Sequence, residues 1–97
     1  MNKATKKRFD ALASIGCSVC RTQWGIYTPA VIHHALGLEN GRMIGRKAPD
    51  DKTLPLCVEH HSGFLGIHRL GKREWETMFG SQAWHIEECN RLIGGIQ

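Results

Sequence analysis

Two half-sites for a metal ion stand far apart in this chain: Cys17-Ser18-Val19-Cys20, and Cys57-Val58-Glu59-His60 within the stretch Leu56 to His61. Three thiolates and one imidazole suit tetrahedral zinc, and an ion shared by two such half-sites clamps distant segments together. Its role there is structural. Cys89 competes as a fourth ligand, but a helical register sets it beside Ile86 and Ile93, where a cysteine serves as a small core residue. The clamp leaves His61 unspent next to a zinc ligand. His68 follows it, and His33-His34 lie in the segment that the two half-sites enclose. Four histidines in one small domain point to a second metal site with imidazole ligands.

The elements carrying these groups can be read in outline. Residues 3 to 15 form a helix with Phe9, Leu12 and Ala13 on one face and Lys3, Lys6, Lys7 and Arg8 at its start, ended by Gly16. The basic cluster is either a solvated helix end or an arm on a phosphate backbone. Ile26-Tyr27-Thr28 and Pro29 to His34 are β-branched and aromatic, which predicts a hairpin with Pro29 in its turn or at its edge. Residues 37 to 51 make a long loop rich in glycine and charge. Thr53 to Leu56 leads to the second half-site, where a helix starts with Cys57 and His60 on its first turn. Gly63 and Gly66 keep that helix short.

Residues on a helix are offset by about 100°, so fixing His60 also fixes His61. Trp75, Met78 and Phe79 share a face of a further helix ended by Gly80. Ser81 caps a last helix with Gln82, Ile86, Cys89 and Ile93 on one face, and Gly94-Gly95 ends the ordered part.

Ninety-seven residues allow one domain with a small core, which a structural metal would supplement. No run of about 18 apolar residues is available to span a membrane. The basic N-terminus has no apolar signal region, and cysteines of this kind in the reducing cytosol are better explained as metal thiolates than as disulfides. The expected location is therefore cytoplasmic. Lys plus Arg exceed Asp plus Glu by 13 to 9, giving a net charge of +4, which permits a polyanionic partner without requiring one.

The Cys17-x-x-Cys20 knuckle, Ile32-His33-His34, Thr53-Leu54-Pro55-Leu56-Cys57, His60-His61, Gly66-Ile67-His68 and Phe79-Gly80-x-Gln82 together resemble the HNH (ββα-metal) endonucleases. Within that superfamily they are most similar to the phage recombination-enhancement, RecA-dependent nuclease family. The resemblance covers roughly residues 17 to 90. It implies an α+β fold: a small zinc-stabilised ββα-metal, treble-clef-like domain with flanking helices. Residues 1–16 are then a basic N-terminal helix or arm, 17–69 the knuckles and catalytic core, and 70–93 the C-terminal helices.

The resemblance further implies that Cys17, Cys20, Cys57 and His60 hold structural zinc and that His33, His61 and His68 hold the catalytic ion. His34 would be the general base, taking a proton from water as the water attacks a phosphodiester, with 5′-phosphate products. A histidine with an ordinary pKa of about 6.5 is mostly in its base form near pH 7. Three imidazoles are too nitrogen-rich to favour Mg2+, and Zn2+, Mn2+ or Ni2+ would be held well. Many HNH enzymes carry an asparagine before the second knuckle, where this chain has Asp51, Lys52 and Thr53. Asp51 is the first candidate to orient the base and Thr53 the second.

Adjacent residues on a regular strand face opposite ways, so His33-His34 predicts a bulge or a strand end. Lys6, Lys7, Arg8, Arg42, Arg46 and Lys47, with Lys72 and Arg73, are candidate phosphate contacts. Trp24 and Trp84 are candidate base-stacking groups, whereas Trp75 fits the core. The implied partners are DNA and a RecA filament in phage or prophage recombination in a bacterial host, with no membrane and no small-molecule cofactor. The alternatives are a non-catalytic zinc-stabilised DNA-binding module and a metal-dependent hydrolase of another substrate.

Overall fold

In the computed structural model, which describes residues 1–94, the strand that carries the histidine pair finds its partner across the long loop. β1 (Val31–His34) pairs antiparallel with β2 (Thr53–Leu56), setting Val31 opposite Leu56 and His34 opposite Thr53. The predicted hairpin between Ile26 and His34 does not form. Ile26 and Tyr27 are 54% and 64% exposed, and Pro29 has no N–H to give a ladder. Thr53, Leu54 and Leu56 are fully buried, so β2 offers β1 the apolar cover that Ile26-Tyr27-Thr28 does not. Pro55 sits in β2 without cost to the ladder because a two-stranded sheet leaves each strand one free edge.

Helices surround this small sheet: α1 (Lys3–Ile15), α2 (Ser18–Trp24), α3 (Val58–His61), α4 (Ile67–Leu70), α5 (Lys72–Phe79) and α6 (Gln82–Leu92). A short 3-10 turn at Leu38–Asn40 lies in the long loop. The protein is thus a small α+β domain with a two-stranded sheet, and no helix of the described residues is long and apolar enough to cross a membrane. α1 starts where the Asn2 side chain accepts from the Thr5 N–H at 2.7 Å, and it ends at Gly16. Glycine is required at that end. With φ at +77°, a Cβ there would lie 2.8 Å from the Thr28 carbonyl oxygen and from the Tyr27 ring. The predicted apolar face is rotated, since Ala13 is exposed while Arg8 and Leu12 are buried.

The main core joins Leu54 and Leu56 of β2 to Ile67, Trp75, Phe79 and Ile86, with Cys17, Cys20 and Cys57 among them. A second cluster packs Leu12 against Cys89 and Ile93, which is the core role expected of Cys89. The faces predicted for the last two helices are the buried ones, except that Met78 is 48% exposed. Ser81 caps α6 by accepting from the Trp84 N–H at 3.0 Å. Gly95, the second of the two glycines read as ending the ordered part, lies outside the described residues.

His85 was given no role by its sequence context, yet it is fully buried between α2 and the end of α5. Its Nε2 donates to the Phe79 carbonyl at 2.8 Å, so its Nδ1 accepts from the Ser18 hydroxyl at 2.6 Å. Burial pushes its pKa below the ordinary histidine value and keeps it neutral.

Arg8 is not a phosphate-binding arm. It is 1% exposed, and its guanidinium donates to Thr53 Oγ1 (3.0 Å), the Thr53 carbonyl (2.8 Å) and Asn90 Oδ1 (2.6 Å), tying α1 to β2 and α6. Removing it strands two buried acceptors on Thr53 and a half-buried one on Asn90. Arg8→Leu is expected to lower the unfolding free energy by about 2–4 kcal/mol, whereas Lys7→Ala shifts it by less than about 0.5 kcal/mol. Urea unfolding of the two variants checks this.

Candidate metal centres

Cys17 precedes α2 and Cys20 lies in its first turn, so the first half-site is a helix start. Cys57 likewise precedes α3, which carries His60. The four ligand atoms lie within 4.8 Å of one another and all four residues are buried. Cys20 Sγ is 3.9 Å from Cys57 Sγ. His60 Nδ1 is 3.9 Å from Cys17 Sγ, 3.8 Å from Cys20 Sγ and 3.1 Å from Cys57 Sγ. Zinc bonds of about 2.3 Å to sulfur and 2.1 Å to nitrogen give tetrahedral edges of about 3.6–3.8 Å. The Cys20–Cys57, Cys17–His60 and Cys20–His60 edges come close to that shape, and the Cys57–His60 edge is shorter.

Burial pushes the Cys17 thiol up to about 12, against the pull of the Cys20 and Cys57 backbone N–H groups. That thiol loses its proton to solvent at neutral pH when a cation takes the proton's place on sulfur, which couples folding to metal uptake. Around the cluster, Trp24 stacks on the His60 ring at 5.9 Å, Phe79 meets it edge-on at 5.0 Å, and Trp75 Nε1 donates to the His60 carbonyl at 3.1 Å.

A second cluster forms one residue further along α3. His33 of β1, His61 of α3 and His68 of α4 bring their ligand nitrogens within 4.8 Å of one another. The two Nε2 atoms of His61 and His68 are 3.1 Å apart, close to the edge of about 3.3 Å for two imidazoles on one tetrahedral ion. His33 is 2% exposed, His61 half-buried and His68 exposed, so the cluster opens on one side. Three ligands and an open side are the arrangement of a reactive metal site, whereas the closed cluster of four is that of a structural one.

Burial drives the His33 pKa down to about 4, against an opposing pull from Gln82, and burial also lowers His61. Both rings are therefore neutral at pH 7, the form in which imidazole binds a cation. His33 Nε2 contacts Gln82 Oε1 at 3.1 Å. The sequence places Gln82 on one face of α6 and in the Phe79-Gly80-x-Gln82 element without a role, yet a glutamine there has to find partners once buried.

His34 ends β1, as a strand end was one of the two geometries expected, and the ladder from Val31 to His34 carries no bulge. His33 and His34 still line one cavity of about 270 Å³, together with His61, His68, Arg42 and Lys47. His34 Nε2 lies 2.9 Å from Asp50 Oδ1. That contact holds the Asp50 carboxyl below the usual carboxylate range. The carboxylate at the base candidate is thus Asp50 and not Asp51. Thr53 is buried one step behind it. Its hydroxyl donates to the Asp50 carbonyl at 2.7 Å and receives Arg8, so it fixes the Asp50 turn from the position opposite His34 in the ladder.

Of the remaining basic candidates, Arg42 and Lys47 stand at the cavity and Arg46 is exposed on the same loop. Lys6 is paired with Asp10 at 2.8 Å, and Lys72 with Glu39 at 2.6 Å. Trp24 and Trp84 are 57% and 45% exposed, while Trp75 is fully buried. A larger depression of about 780 Å³ along α5 is lined by residues between Leu70 and Met78, with no histidine or cysteine among them. Of these two, the smaller is the one lined by histidines. No protein-family model matches this sequence, and no curated protein matches it.

The buried Cys17, Cys20, Cys57 and His60 cluster can hold a structural metal such as zinc. Cys57→Ser is expected to lose that ion and with it the cooperative unfolding transition, since binding of a structural ion contributes on the order of 10 kcal/mol to folding. Cys89→Ala is expected to keep both. Metal content and circular dichroism of the two variants read the difference.

Proposed function

We propose that this chain is a metal-dependent DNA endonuclease of the HNH (ββα-metal) class, a treble-clef-like domain clamped by structural zinc, and a relative of the RecA-dependent recombination nucleases of phage. The observation that carries this reading is the convergence of His33, His61 and His68 on one open position beside the His34–Asp50 pair. A module that only binds DNA has no use for an open three-imidazole position next to a histidine held by a carboxylate.

The chemistry follows from the side chains. The Asp50 carboxylate can only accept, so His34 Nε2 carries the proton and Nδ1 carries the lone pair. From Nδ1, His34 takes a proton from water as the water oxygen attacks phosphorus and the bond to the 3′-oxygen breaks, leaving a 5′-phosphate. Asp50 stabilises the imidazolium that results, as a carboxylate does in other histidine–carboxylate pairs. A divalent ion on His33, His61 and His68, with zinc, manganese or nickel suited better than magnesium, supplies Lewis-acid stabilisation of the phosphate and the departing oxygen. Arg42 and Lys47 at the cavity place the phosphodiester. A RecA filament is the partner proposed to present the DNA.

Supercoiled, linear and single-stranded DNA, each incubated with EDTA, zinc, manganese or magnesium and with or without a RecA filament, test this reading. Wild type is expected to cleave in a metal-dependent way, and His34→Ala to lose about 10²–10⁴-fold in rate while keeping its fold and structural zinc. Asp50→Asn is expected to slow cleavage and Asp51→Asn to leave it unchanged. Protein that binds DNA, carries one zinc and cleaves nothing under any condition would instead be the non-catalytic module. Arg42→Ala and Lys47→Ala are expected to weaken DNA binding and each lower the salt dependence by about one phosphate contact, which binding measured across salt concentrations reads.

A further inference from the structure

Gln82 is fully buried at the start of α6, and both ends of its amide are engaged. Its Oε1 accepts from the Leu36 backbone N–H at 2.9 Å. Its Nε2 donates to the Leu36 carbonyl at 3.1 Å and to Glu76 Oε2 at 3.2 Å. A backbone donor, a backbone acceptor and a carboxylate allow the amide one orientation only. Turned over, its nitrogen would face an N–H and its oxygen would face two oxygens.

Oε1 also lies 3.1 Å from His33 Nε2. An amide oxygen accepts, so His33 Nε2 carries a proton, and a neutral imidazole then has its lone pair on Nδ1. The carboxylate behind Gln82 is itself fixed. Glu76 Oε2 accepts from the Gln82 backbone N–H at 2.8 Å, and Oε1 faces Lys72 Nζ at 3.3 Å, which also holds Glu39 at 2.6 Å. A continuous polar chain therefore runs from the loop at Glu39 through Lys72, Glu76 and Gln82 to the His33 ring.

We propose that Gln82 is a positioning residue: it locks His33 in the tautomer protonated on Nε2 and so presents Nδ1 to the cation shared with His61 and His68. The proposal rests on the reading of those three histidines as a metal site. Ligating histidines commonly donate their second ring N–H to an outer partner that fixes the tautomer and ring direction, and loss of that partner typically costs 10–100-fold in metal affinity. Here the outer partner is a neutral amide whose own orientation is dictated by Leu36 and Glu76. His33 thus needs no reorganisation on binding.

Nitrogen-15 NMR of the imidazole side chains, on protein loaded with its structural zinc, reads the tautomer of His33. Titration with a second equivalent of zinc reads the affinity of the open site. Wild type is expected to show His33 protonated on Nε2. Gln82→Leu is expected to mix the two tautomers and weaken the second zinc about 10–100-fold, with the thiolate-bound zinc retained. Because Gln82→Leu also strands the Leu36 N–H and carbonyl, the tautomer of His33 in wild type is the independent test, since it needs no variant to fold. His33 protonated on Nδ1 in wild type overturns the proposal, as does folded Gln82→Leu with tautomer and affinity unchanged. A wild type with the expected tautomer that takes up no second zinc overturns the proposal together with the metal-site reading beneath it.

Discussion

The adjacency of His60 and His61 on α3 is the constraint on which the rest of the molecule depends. His60 points into the buried cluster with Cys17, Cys20 and Cys57, while its neighbour turns toward His33 and His68. A helix of four residues has little stability of its own. What holds it is the closed cluster on one side and the Trp75 indole on its His60 carbonyl on the other. The open cluster inherits its geometry from the closed one.

The same economy governs the sheet. Each strand is four residues long, and such a ribbon is marginal in water unless its faces are covered. β2 is covered by the apolar core and by Arg8, whose guanidinium satisfies Thr53 at side chain and carbonyl. Thr53 in turn holds the carbonyl of Asp50, and Asp50 holds His34. A buried arginine on α1 is therefore three contacts away from the candidate base. On the opposite side, Gln82 of α6 bonds both the Leu36 backbone and the His33 ring. His33 and His34 diverge as neighbours on a strand must, and a different flanking helix supports each.

What could be read from the residues was local chemistry. The two half-sites, the helix from Lys3 to Ile15, the caps at Gly16, Gly80 and Ser81, and the core role of Cys89 all follow from short-range spacing or from side-chain type. The partner of β1 was not legible. Ile26-Tyr27-Thr28 has strand-like residues, but pairing is decided by which segment can also bury its side chains, and that segment stands beyond the long loop. The burial of Arg8 is not visible in the sequence, because a run of lysines and arginine at a helix start does not show which member turns inward. The sequence does not distinguish Asp50 from Asp51, because the turn that aims one carboxylate at His34 is set by the Thr53 hydroxyl. Gln82 and His85 were visible as residues of α6, but their partners come from segments far away in sequence.

X-ray absorption at the zinc edge, on protein loaded with one and then two equivalents of zinc, tests most directly the claim that one turn serves two ions. The account predicts a first ion with three sulfur and one nitrogen neighbours, and a second ion taken up with nitrogen and oxygen neighbours alone. Failure to take up the second equivalent, or sulfur in its coordination shell, would contradict it.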